Sequence, residues 1–300
     1  MRGVGLFLLG ILAPGTALAC ACGCAVFDVG TSTLLPSGPG ITLFAEYDFL
    51  DQTKNWSGTH RAPAADNDDK HIRSNFYLAG AQKMFDDDWG VMVEVPYTDR
   101  LFTTADSGTP ETFSHGSIGD IRLMGMYSGF EKDMSTGVIF GVKLPTGDHR
   151  FADFDHDVEI GSGSTDLLLG GFTSGAFDVT QTFTWFAQAV WQQPLATQDH
   201  YRPGHELNGA AGVSYTGWKL ADNVELAPVV QVLASERGRD GGVGDPDNTG
   251  YQRLMVSPGL SLSVNQWKLY ADVELPVWQH VNGNQLIAPY ALKFIASYSL

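Results

Sequence analysis

Cysteine, positive charge and long apolar runs are all scarce in this chain, and each shortage removes a class of protein. There are 3 cysteines in 300 residues, confined to Cys20, Cys22 and Cys24, so no disulfide framework staples the body of the chain. Lys and Arg number 18 against 34 Asp and Glu, a formal net charge of -16, and without a basic surface nucleic acid is excluded as a partner. The one long apolar run, Gly3 to Ala13, is broken at Pro14, short of the roughly 20 residues a spanning helix needs. No helical periodicity follows it, which removes helical bundles of the soluble and the membrane kind alike. What the chain does have is glycine, 35 residues, and aromatics, 11%, with only 17% of residues charged.

The first segment reads as an export signal. Met1-Arg2, the apolar run and the closing Ala17-Leu18-Ala19 predict a secretory signal peptide over residues 1–19, cleaved before Cys20. The cysteines directly behind the cut admit three chemistries. Cys20, Cys22 and Cys24 are spaced tightly enough to hold one soft transition metal, copper or zinc, through thiolates. They equally suit one disulfide and a free thiol, or lipidation at Cys20, although Ala17 stands where lipoprotein signals usually carry Leu. Residues 20–40 then form a periplasmic or lumen-plugging segment ahead of a barrel over 41–300.

From residue 41 onward, apolar and small or polar residues alternate in segments of about ten, the dyad pattern of a transmembrane β-barrel. Leu43, Ala45, Tyr47 and Phe49 alternate with Phe44, Glu46 and Asp48, and Leu292, Phe294, Ala296 and Tyr298 with Lys293, Ile295 and Ser297. Twelve such strands are predicted, centred near 45, 77, 95, 123, 141, 168, 188, 211, 230, 259, 272 and 295. Short connections at 85–89, 130–135, 173–180, 217–223 and 265–266 alternate with long polar ones at 51–70, 102–118, 146–164, 195–205, 236–252 and 279–287. That alternation demands an even strand number with both termini periplasmic, as in the bacterial outer membrane, with lipid and the barrel-insertion machinery as partners. A soluble β-sandwich also alternates, but its strands are shorter and its apolar face tolerates Lys and Arg, which this one lacks.

With the apolar face outward, the lumen receives Glu94, Arg122, Lys143, Lys268, Asp272 and Glu274 among its charged residues. Val93-Glu94-Val95-Pro96, Val142-Lys143-Leu144-Pro145 and Val273-Glu274-Leu275-Pro276 each place an inward charge two residues before an inward proline. Proline cannot donate to a ladder, so each marks a bulge or a strand end. The charges form either a ring around a constriction or a rim of structural pairs. All 8 histidines fall in the long loops or at the strand ends that enter them. His149 and His156 are interleaved with Asp155 and Asp157, a donor mixture suited to divalent transition metals. For catalysis little is offered: Ser114-His115 are adjacent and so point to opposite faces of an extended chain, and an enzyme is not expected.

Gly119-Asp120-Ile121, then Leu144-Pro145-Thr146-Gly147-Asp148, then Gly161-Ser162-Gly163-Ser164-Thr165-Asp166 form a distinctive series. It resembles the outer-membrane barrel family named for the meta pathway of phenol degradation. The resemblance extends over about residues 40–300 and implies a twelve-stranded barrel that transports hydrophobic or aromatic compounds. The cysteine leader and the histidine-bearing acidic loops depart from that family and favour a metal-related variant. Three functions follow as expectations: a channel for a small solute, a metal-binding or metal-uptake barrel, and a structural or partner-docking barrel with a closed lumen.

Overall fold

Extended segments with one apolar face become a wall when each finds a partner on both edges. The computed structural model describes residues 34–36, 38–244 and 246–300, so the signal segment and the three cysteines lie outside the described residues. Twelve strands make the wall. They are β1 (Gly40–Gln52), β2 (Asp69–Met84), β3 (Trp89–Thr104), β4 (Arg122–Tyr127), β5 (Thr136–Lys143), β6 (Ser164–Ala176), β7 (Phe183–Thr197), β8 (Glu206–Tyr215), β9 (Val224–Arg237), β10 (Tyr251–Val264), β11 (Trp267–Ile287) and β12 (Ala291–Ser299). Each pairs antiparallel with its neighbour in the chain, and β12 returns to β1, with Thr42 opposite Ser299 and Leu50 opposite Ala291. The ring therefore has no free edge, the condition under which a sheet can stand in hydrocarbon.

The predicted alternation sets the two faces. Leu43, Val91, Leu123, Phe140, Val230 and Phe294 are exposed on the outside, while Asp48, Ser74, Lys143, Gln231, Asp272 and Lys293 are buried inside. Outward aromatics pair across strands at the short-turn end: Trp89 with Tyr127 (4.8 Å), Phe183 with Tyr215 (5.0 Å) and Trp267 with Tyr298 (4.9 Å). These amphipathic rings at one level have the composition of an interfacial girdle.

Differences from the predicted boundaries lie mostly at the long-loop end, where the strands outrun the expected wall. The stretch 279–287, expected as a loop, continues β11 to Ile287 and pairs with a short strand, Lys54–Gly58. Gly283, at φ 59°, sits within the register slip between Val281 and Asn284; Val281 and Ile287 bury against Tyr251, and Leu286 against Ile72 and Phe102. Similarly β3 runs to Thr104, and Glu111–Ile118, expected as loop, folds back beside it. At the other end, Thr173 to Ala176 stay in β6 because each finds a partner on β7, from Ala187 to Thr184.

The outward face of β9 provides a test. Val230→Arg, at mid-wall, is expected to cost about 2–4 kcal/mol in denaturant-induced unfolding from lipid vesicles. Val179→Arg, on the fully exposed tip of the turn after β6, should change stability by less than about 0.5 kcal/mol.

Candidate functional site

The inward face changes character along the barrel. Toward the short-turn end it is apolar, where Met124, Met126, Ile139, Leu168 and Phe172 pack together, and beside them Phe186, Leu233 and Met255. Leu35, ahead of β1, packs against both groups, so this part of the chain lies within the barrel. Further along is a charged belt. Between them is a cavity of about 250 Å³, lined by Leu35, Met92 and Met124 on one side and by Glu94, Arg122 and Lys293 on another.

Most charges in the belt have a counter-charge beside them, which offsets the cost of withdrawing them from water. Lys293 on β12 meets Glu46 at 2.6 Å and Asp48 at 3.1 Å on β1. Asp272 on β11 is its register partner on the other side and accepts from Ser257 (2.6 Å), Tyr270 (2.7 Å) and Gln231 (2.9 Å). Glu274, buried one inward position further on, is within reach of the Lys293 charge. Glu94 and Arg122, register partners on β3 and β4, approach to 3.7 Å. Lys143 on β5 lies 2.9 Å from Asp166 on β6 and 3.2 Å from Asp120. Five of the six sequence-derived lumen residues thus stand in the belt; Lys268 stands apart, at the short-turn end of β11 opposite Ser263 and Ser297. Each proline of the repeated pattern coincides with a break in the ladder. At Pro96, β3 changes partner from β4 to Glu111–Ile118; Pro145 lies just past the end of β5; and the register slips opposite Pro276.

The segment 144–163 folds back over the mouth as a lid, and one carboxylate holds its neck. Asp120 accepts the backbone N–H of Gly147 (3.0 Å) and the N–H and Oγ–H of Ser162 (2.9 and 2.5 Å), besides facing Lys143. Thr146 Oγ1 donates to the Gly119 carbonyl at 3.0 Å and accepts the N–H of Ile121 at 2.9 Å. At the neck, Gly147 and Gly161 touch backbone to backbone, and a Cβ on Gly161 would stand 2.4 Å from the Gly147 carbonyl carbon. Beyond it Phe154 and Val158 bury against Ile72, Phe102 and Leu286. Arg100 on β3 donates to the carbonyls of Val158 and Glu159. The three motif segments therefore meet in one buried network. Asp120, Asp166 and Arg100 were not among the sequence-derived candidates; the first two sit inside the motifs, and that was the signal available.

The histidine candidates do not converge. His149 lies 3.2 Å from Asp199, and His156 stacks on Tyr201 at 5.3 Å. Asp157 is buried, while Asp155 uses its backbone carbonyl to accept the N–H groups of Val158 and Glu159. Among the described residues no three His, Cys, Asp or Glu side chains gather to hold a metal ion. Instead histidine and aspartate tie loop to loop: His115 pairs with Asp148 at 2.9 Å with its ring stacked 4.2 Å from Phe151, and His71 pairs with Asp51 at 2.5 Å. Burial, and after it the Asp148 charge, push the Glu159 carboxyl up to about 8, with Asp155 adding to the rise and Arg100 opposing it. Burial also acts on Asp148, but the Arg150 N–H and His115 outweigh it and hold that carboxyl below its ordinary value.

In sequence, the chain matches no family model and no curated protein. In structure, it is similar to an outer membrane channel from Pseudomonas putida F1, with TM-score 0.68 over 91% of this chain and 100% of that one at 11% identity. It is also similar, more loosely, to the β domain of the Bordetella autotransporter BrkA, with TM-score 0.48 over 87% of this chain and 100% of that one at 10% identity. The first likeness establishes a common fold, the outer-membrane type of barrel.

Asp120→Ala is expected to cost about 3–5 kcal/mol, since it strips a buried network of its acceptor, and to make the lid cleavable by protease in the folded barrel. Glu159 sets a pH trend in the lid. Its folded form holds a proton that the free chain releases above about 4.5, so its stabilisation is complete below that pH and lost as pH rises through about 8. Amide exchange in the lid should accelerate across that range beyond its intrinsic pH dependence, and Glu159→Gln should remove the excess.

Proposed function

We propose that this chain is a channel or transporter of the bacterial outer membrane for a small hydrophobic or aromatic solute. The observation that carries this reading is the cavity of about 250 Å³ inside the barrel, apolar on one side and faced by the ion-paired belt on the other. An apolar ring would lose its water against Leu35, Met92 and Met124, while Arg122, Glu94 or Lys293 orients a hydroxyl or carboxylate substituent. The likeness to an outer membrane channel supports the transport role, and the resemblance to the phenol-degradation family supports the aromatic solute. In this reading residues 1–19 direct export and residues 20–40 serve as a periplasmic or plug segment. The short turns and both chain ends face the periplasm, the long loops face outward, and the insertion machinery recognises the last strand with Tyr298 and Leu300. The buried charges serve binding and closure rather than catalysis.

The test is uptake into vesicles of a substituted phenol against a sugar of similar size, with conductance across a planar bilayer. The wild type should admit the phenol at least severalfold faster. Glu94→Gln and Glu274→Gln should alter permeability by changing the belt, and Lys143→Met should raise conductance by releasing both Asp120 and Asp166. If neither the wild type nor Lys143→Met passes any solute or current, the barrel is a closed structural or docking element.

A further inference from the structure

Methionine is sparse in this chain but its placement is uneven. Of 7 methionines, Met1 opens the chain and Met255 belongs to the neighbouring apolar group; Met84, Met92, Met124, Met126 and Met134 all meet at one place on the lumen floor. They arrive from β2, β3, β4 and the turn after β4. The strand register sets four of them in two adjacent inward rows, Met84–Gly90–Met126 and Gln82–Met92–Met124. Side chains directly opposite on paired strands have Cβ atoms about 4.5–5.5 Å apart, and the flexible thioether arm spans that gap easily. Glycine opens room in the first row, and sulfur occupies it. A Cβ at Gly90 would stand 2.1 Å from the Met84 sulfur and 3.2 Å from the Met126 methyl. Gly141, which continues the second row beside Met124, likewise leaves its space to the Met124 side chain.

Packing alone does not call for sulfur here, because Ile139, Leu168 and Phe172 complete the same apolar layer. Met92, Met124 and Met126 also line the central cavity, which puts these three side chains beside the lumen space. A second set of soft donors, Cys20, Cys22 and Cys24, shortly precedes Leu35 in sequence, and Leu35 packs on this methionine floor.

We propose that Met92, Met124 and Met126, backed by Met84 and Met134, form a site for a soft monovalent metal ion, Cu(I) or its stand-in Ag(I). Thioether sulfur is uncharged, does not titrate and makes no disulfide, so it binds soft ions and leaves hard divalent ones aside. The site does not need the cysteines, and it shares Met92 and Met124 with the proposed solute cavity, so the ion binding is read directly and not through solute transport.

The test uses the full chain with Cys20→Ser, Cys22→Ser and Cys24→Ser, purified as the folded barrel in detergent. Ag(I) and, under reducing conditions, Cu(I) are titrated against a chromophoric chelator, with Zn(II) as control and X-ray absorption reporting the ligand shell. The expected result is one Ag(I) or Cu(I) per barrel in a sulfur-only shell, no Zn(II), and at least tenfold weaker binding in Met92→Leu/Met124→Leu/Met126→Leu. Leucine conserves volume, and folding is checked by the heat-dependent gel shift of the barrel. If the triple variant fails to fold, Met124→Leu alone should weaken binding severalfold. No bound ion in the cysteine-free barrel, or undiminished binding in the leucine variants, overturns the site.

Discussion

A sheet exposed to hydrocarbon must satisfy every backbone N–H and C=O within itself, and here that requirement is met by the return of β12 onto β1. Closure imposes the rest. Once the ring is shut and one side chain in two points outward, the charged residues of the inner face are confined to a lumen a few side chains wide, while Arg73, Lys83, Asp99 and Glu236 stay exposed on the outer face. Charges confined there must find counter-charges, because an unpaired one taken out of water costs several kcal/mol. The Lys293–Glu46–Asp48 group, the Glu94–Arg122 pair and the Lys143–Asp120–Asp166 group are that consequence, spaced around the wall at strand pairs the register had already made neighbours.

Lys143 links wall and lid. It is a wall residue of β5 paired to β6, yet it also faces Asp120, whose remaining hydrogen bonds hold both arms of the lid's neck. The same ion pair thus contributes to barrel stability and to the closure of the mouth. Arg100 repeats the arrangement from β3: its guanidinium Nε donates to Ser74 on the wall while the rest engages lid carbonyls. The lid is therefore part of the lumen's polar interior and not a separate surface loop.

Local patterns carried most of the architecture. Alternation every second residue assigned inside and outside correctly at Leu43, Glu46, Val95, Lys143, Asp272 and Phe294, and the spacing of turns fixed twelve strands. The prolines announced ladder breaks because the missing N–H is a property of the residue itself. What escaped was whatever depends on register between distant segments. Asp120 and Asp166 sit in motifs that look like loop punctuation until the strands bring them to Lys143. The histidines looked like a shared ligand set in one dimension, and cross-loop partners such as Asp199 divided them in three. The methionines, scattered over fifty residues of sequence, gave no local signal at all; only the pairing of β2, β3 and β4 makes them neighbours.

The backbone contact between Gly147 and Gly161 has a consequence for how this protein can vary. Because the chain enters and leaves the lid at one point, closed by Asp120 and Ser162, the residues between the two glycines are geometrically insulated from the wall's register. A lid of different length or chemistry can be exchanged at that point as a cassette, provided it keeps the neck, presents something apolar to Ile72, Phe102 and Leu286, and offers carbonyl acceptors to the buried Arg100. Selectivity at the mouth can then diversify while the twelve-stranded frame stays unchanged, which makes this segment the natural place for graft libraries and for divergence among barrels of this build.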